Sequence, residues 1–226
     1  MFEQFIVKEI IDLYNLKNDE KLSVKFETAV SFLELFHCLD KAVLNGKKDV
    51  VMSMNRISIT KKRLEKYDFS EPYMANKFSA LKLKTRTDIN EEKLFKTKYT
   101  VGIVKNTLYE ELVYELDKDK SLTIKFYSNN ELCAEGLRKK EIDLYISDFV
   151  DTWIYDLEVV AILKPELTDH HGILFPKGSE LRKKLNKTMR YYVKSAKYYN
   201  LIRTYFGKER MVFYKEMIYS GSKKSF

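Results

Sequence analysis

Apolar residues recur at helical spacing from the first positions of the chain. Phe2, Phe5, Ile6, Ile10 and Leu13 fall on one face and predict an amphipathic helix over residues 2–16. Leu22 to Phe26 alternates apolar and polar, the pattern of a half-buried strand. A second helical period covers 29–45, where Val30, Leu33, Phe36 and Val43 make a broad face. Gly46 stands just past it, where a helix end needs a left-handed residue. Asp49 to Met54 is a short apolar run suited to a strand covered on both sides. This β-α-β order with short loops predicts a parallel sheet.

Further along, Phe78 to Leu83 reads as extended and Lys84 to Glu92 as polar. Strands are expected at Tyr99 to Val104, Leu122 to Tyr127, Ile142 to Ile146, Glu158 to Leu163 and Gly172 to Phe175. Helices are expected at Leu108 to Leu116, Glu131 to Arg138, Asp148 to Asp156 and, in a long stretch dense in Tyr, Lys and Arg, Ser179 to Phe206. Pro165 to His171 reads as a loop. The longest apolar runs, such as Val159 to Leu163, fall far short of the roughly 20 residues that span a bilayer, so no transmembrane segment is expected.

Composition narrows the class. A chain of 226 residues, 45% hydrophobic and 33% charged, can fill one large domain or two lobes and is not a disordered polymer. The net charge of +8 comes from basic residues dispersed among acids, without an Arg-rich run, and no nucleic-acid partner is expected. Met1 to Gln4 carries no basic leader, and Glu3, Lys8 and Glu9 interrupt any apolar segment; the chain as written, if complete, would stay in the cytoplasm. Cys38 and Cys133 lie in apolar-periodic stretches and read as buried free thiols.

Candidate chemistry centres on Asn45 to Tyr73. Thr60 is a good N-cap for the helix opening KKRLEK, Arg63 falls at its third position, and Ser58 adds a hydroxyl at the strand end. Exposed N–H groups and a planar cation at a helix start suit a carboxylate; the alternative is an ordinary capped helix with a solvated arginine. In the second half, Thr107-x-x-Glu110 fits a capping box. Asp148, just past a strand, could accept from an ammonium group or only cap the next helix. Gly-rich phosphate loops, CxxC and HExxH are absent. The neighbours His170 and His171 diverge, as do His37 and Cys38, so neither a metal nor a cofactor nor a nucleophilic pair is expected.

The stretch LNGKKDVVMSMNRISITKKRLEKYDFSEPYM resembles the family-3 bacterial extracellular solute-binding proteins, the polar amino acid binders of ABC transporters. The likeness continues through YTVGIVKNT, EGLRKKEIDLYISD, HGILFPKGSEL and IRTYFG. It implies an α/β, two-lobed type II periplasmic-binding-protein-like fold, with mainly parallel sheets flanked by helices. Two hinge crossovers are implied near Ser79 to Lys84 and Leu167 to Ile173. Lobe 1 would be 1–83 plus 169–226, and lobe 2 would be 84–168. Carried over, Arg63 binds the ligand carboxylate, Ser58 and Thr60 are the hydroxyl positions, and Phe36 packs on the ligand side chain. Thr107 is the second-lobe hydroxyl, and Asp148 takes the α-ammonium.

The implied function is a monomeric, non-enzymatic solute-binding protein or sensor-like domain that clamps a small amino-acid-like ligand between its lobes. An ABC-transporter permease would be its partner, and its location periplasmic or extracytoplasmic. The alternatives are a cyclohexadienyl-dehydratase-like enzyme and a degenerate paralogue that binds no ligand and serves as an interaction module. Departures from the family pattern are Asn106 in place of its usual glycine and Arg56 in place of a small residue. The strand that usually precedes the first helix is also missing. One expectation is that Met211 to Tyr219 folds back as a substitute strand; the other is a truncated product with a defective lobe.

Overall fold

The computed structural model describes residues 2–207. In chain order its elements are α1 (Phe2–Lys17), α2 (Glu34–Leu44), β1 (Ser53–Ser58), α3 (Lys61–Lys66), β2 (Tyr67–Phe69), β3 (Met74–Asn76), β4 (Phe78–Leu83), β5 (Thr100–Val104), α4 (Leu108–Leu116), β6 (Thr123–Tyr127), α5 (Asn130–Arg138), β7 (Leu144–Asp148), α6 (Asp151–Ile154), β8 (Leu157–Leu163), β9 (Asp169–Pro176), α7 (Glu180–Tyr192) and α8 (Ala196–Phe206). They cluster into two units. One takes residues up to 28, 35–75 and from 170 onward; the other takes 29–34 and 76–169. Residues 76–83, expected in the first lobe, cluster with the second unit, because β4 is a paired strand of its sheet.

In the first unit, α1 forms where the apolar period says it should and buries Phe2, Ile6, Val7, Ile10, Ile11 and Tyr14. Glu3 in its first turn and Lys17 in its last complement the helix dipole. The buried face packs on α7, and the Phe2 ring lies 5.2 Å from Phe206 and 5.3 Å from Tyr205. The expected long helix over 179–206 breaks after Tyr192, and Ser195 opens α8 by accepting from the Tyr198 N–H at 3.1 Å. Helix α2 ends as predicted. Gly46 sits at φ 69, its N–H donates to Val43 O at 3.1 Å, and the Lys47 N–H reaches Ala42 O at 2.7 Å. That pair of bonds satisfies carbonyls the helix would otherwise leave open.

The parallel β-α-β unit expected over 22–54 is not formed. Residues 22–26 carry no strand, and the strand near 49–54 lies instead at Ser53–Ser58. There it pairs antiparallel with β9, with Ile57 opposite Gly172 and Ser58 opposite His171; β2 lines the other side of β9, also antiparallel. Alternation supplies a strand with a face, but only a neighbouring strand satisfies its N–H and C=O groups. β9 does this at Ser53, Ile57 and Ser58, with a shift of register between Ser53 and Ile57.

Without those strands the apolar stripe expected over 29–45 has little to cover it. α2 starts at Glu34 and buries only Leu39, while Val30 is 76% and Val43 47% exposed. Cys38, expected to be buried, is exposed for the same reason. The segment 211–219 lies outside the described residues.

The second unit holds a five-stranded sheet in the order β6-β5-β7-β4-β8. β5 runs parallel to β6 and β7, whereas β4 is antiparallel to β7 and β8. Pairing is therefore mixed among the described residues, not mainly parallel. The period of two sorts its core. Phe78, Ala80, Val101, Ile103, Leu144 and Ile146 pack with Tyr109, Leu112 and Val113 of α4; Leu81 and Tyr145 pack with Cys133 and Leu137 of α5. Burial pushes the Cys133 thiol well above its ordinary range, as expected of an inert core cysteine. At Gly102 a Cβ would collide with the Ile142 side chain. No helix among the described residues is long and apolar enough to cross a membrane.

Candidate functional site

Four of the expected residues converge in the first unit. β1 ends at Ser58, which is buried, and the next N–H, of Ile59, donates to His170 O at 2.8 Å. That bond carries the contact with β9 one residue past the end of β1, and the chain then turns into α3. Thr60 is extended (φ −125, ψ 153), and its Oγ1 accepts from the Arg63 N–H at 3.2 Å, so the predicted N-cap forms.

Arg63 then folds back on the strand end. Its Nη1 donates to Ser58 O at 2.8 Å, and its Cζ lies 5.3 Å from the centroid of the Phe36 ring. Tyr67 supports that ring from 5.5 Å. A guanidinium held along one edge and against an aromatic face keeps the planar geometry that a carboxylate matches in a bidentate way. The neighbouring turn places Arg56 at φ 47, and its N–H donates to the Tyr73 hydroxyl at 2.9 Å. Tyr73 is buried, and burial above all pushes its phenol well up.

The other two expected residues lie in the second unit. Asn106 takes φ 65, the left-handed conformation that a glycine would adopt without strain and that asparagine tolerates better than most residues. Thr107 follows at the N-cap position of α4 but does not cap it; its Oγ1 donates to Val104 O at 2.7 Å. Glu110 accepts from the Asn106 N–H at 3.3 Å, so the predicted reciprocal capping box is replaced by a bond one residue earlier.

Asp148 is the last residue of β7, not the first beyond it, and it is 4% exposed. It does not cap the next helix, whose N-cap position is Val150. Its carboxylate is instead gripped by the last residue of β3 and by α4: Oδ1 accepts from Asn76 Nδ2 at 2.8 Å and from the Tyr109 hydroxyl. Asn76 is itself fixed, its Oδ1 accepting from the Phe149 N–H at 2.9 Å. Burial first, then the charges of Asp148 and Asp169, push the Tyr109 phenol well above its ordinary range, so it stays a donor. An Asp169 carboxylate oxygen lies within 4.8 Å of one of Asp148.

Nothing in the sequence singles out Asn76 or Tyr109. Tyr109 reads there as one more apolar position of a helix, and its hydroxyl partner is 39 residues away.

Two compact units, each with a β-sheet flanked by helices, have the architecture of the two-lobed type II binding-protein class. The chain belongs to the bacterial extracellular solute-binding proteins, family 3, whose sequence profile matches residues 11–208. YxeM of Bacillus subtilis (strain 168), described as a probable amino-acid-binding protein, is 26% identical over 208 residues, covering 89% of this chain and 75% of YxeM.

Among solved structures, the fold is similar to that of the arginine-, lysine-, histidine-binding protein ArtJ from Geobacillus stearothermophilus. The TM-score is 0.70 at 23% identity, covering 93% of this chain and 89% of ArtJ. It is similar also to AncCDT-1, an ancestral amino acid-binding protein described as a precursor of cyclohexadienyl dehydratase. There the TM-score is 0.70 at 22% identity, with 91% of this chain and 84% of that one covered.

Proposed function

We propose that this solute-binding protein takes an α-amino acid. Arg63, with the Ser58 and Thr60 hydroxyls beside it, binds the ligand carboxylate; Phe36 packs against the ligand side chain; Thr107 adds a hydroxyl; and Asp148 takes the α-ammonium. The observation that carries this reading is the arrangement of Arg63, tied to Ser58 O at 2.8 Å and lying against Phe36 at 5.3 Å. The described relative and the neighbouring structures that bind amino acids support it. So does the buried Asp148 carboxylate, which accepts from the neutral Asn76 and Tyr109 side chains.

Delivery of the ligand to an ABC-transporter permease outside the cytoplasm follows from the family and is part of the same proposal. The chemistry proposed is binding alone. Elimination of the cyclohexadienyl-dehydratase type would appear as loss of prephenate on incubation, which the binding reading does not produce.

Calorimetry against a panel of the common L-amino acids and L-cystine tests the proposal. Wild type should bind at least one, and Arg63→Ala should weaken that binding at least about a hundredfold, as expected when a charge-assisted bidentate contact is lost. Unchanged binding by Arg63→Ala would remove Arg63 from the site.

A further inference from the structure

We infer that Tyr109 is a positioning residue for ammonium recognition. Together with Asn76, it holds the Asp148 carboxylate in the orientation a ligand ammonium must meet. This rests on the reading of Asp148 given above.

The register of the sheet brings the three residues together. Leu144, Ile146 and Asp148 alternate onto the α4 face of β7, and Tyr109 stands in the first turn of α4, on the side that packs against Phe78 at 6.0 Å. Asn76 arrives from the residues just before β4 and is 1% exposed. Its Nδ2 lies 2.8 Å from Asp148 Oδ1 and 3.3 Å from the Tyr109 oxygen, so the three polar groups form a closed triangle.

Both donors converge on one carboxylate oxygen and both are neutral. They restrict the carboxylate's rotation without themselves bringing a positive charge, so what they contribute is orientation. Each donor removes some of the rotamer freedom that an ammonium binding the carboxylate would have to offset. The phenol suits this role because burial beside acids keeps it protonated.

The contribution is specific to one end of the ligand. Removing the Tyr109 hydroxyl should weaken recognition of the ammonium and leave recognition of the carboxylate as it was. A merely structural role would weaken both together.

The test uses the tightest-binding L-amino acid of the panel and its des-amino counterpart, the same molecule with hydrogen in place of the amino group. Each is titrated into wild type, Tyr109→Phe and Asp148→Asn by calorimetry. Tyr109→Phe keeps the ring and its packing. It should bind the amino acid about ten- to a hundredfold more weakly, the scale of a hydrogen bond to a charged group. The des-amino acid should bind it as it binds wild type. In the Asp148→Asn background the Tyr109→Phe change should have no further effect on the amino acid.

Equal losses for both compounds, or no loss for the amino acid, overturn the assignment while leaving the amino acid reading intact. A wild type that binds no amino acid overturns that reading and the assignment with it. If Tyr109→Phe does not fold, as judged by circular dichroism, Asn76→Ala removes the other donor and is held to the same pair of outcomes.

Discussion

Arg86 is gripped from two sides. Its Nε and Nη2 each donate to Asp88 at 2.8 Å, and Nη1 donates to Asp143 at 2.9 Å. The bidentate bond from Arg86 holds the Asp88 carboxyl down to about 2, against its ordinary 3.8. A depressed carboxyl contributes stability that is present above the ordinary value and lost as pH falls through the folded one. Thermal melts of wild type should therefore decline more steeply between pH 4 and pH 2 than those of Asp88→Asn, and parallel curves would remove Asp88 as the cause. Residues of this kind are readable locally, since Arg86 and Asp88 are two positions apart. Asn76 and Asp148 are 72 apart, and no pattern in the sequence joins them. The same contrast divides the candidate site: Thr60 and Arg63 form a cap visible as text, whereas the Phe36 ring under Arg63 becomes a neighbour only once the chain has folded.

Elements were legible where their partners come soon after them. The run β5, α4, β6, α5 and β7 matches its predicted spans to within two residues at each end, because each strand pairs with another in the same short stretch and each helix carries a clear apolar face. Residues 22–26 alternate just as well, yet no strand forms there. Alternation describes one face, and a strand also needs a ladder. The end of α2 is the opposite case, since one glycine decides it. Gly46→Ala should cost about 1 kcal/mol in chemical denaturation, because a Cβ is strained at φ 69. A neutral Gly46→Ala would mean that the turn relaxes to another conformation at no cost.

For the molecule as a whole, each unit has a core of its own, and the family fixes the fold class although identity to the solved structures stays below a quarter. The degenerate-paralogue alternative separates from the binding reading at this scale. A bound amino acid at a hundred times its Kd should stabilise the folded protein by about 2.7 kcal/mol, seen as a rise in melting temperature. A flat melting temperature across the whole panel would favour the alternative.

The turn before α4 limits how this protein can change. A backbone at φ 65 accepts glycine freely, asparagine and aspartate at small cost, and β-branched residues hardly at all. Asn106 thus works as a filter on mutation. A library randomised there should return a short list of residues set by backbone shape, even though the side chain itself is exposed to water.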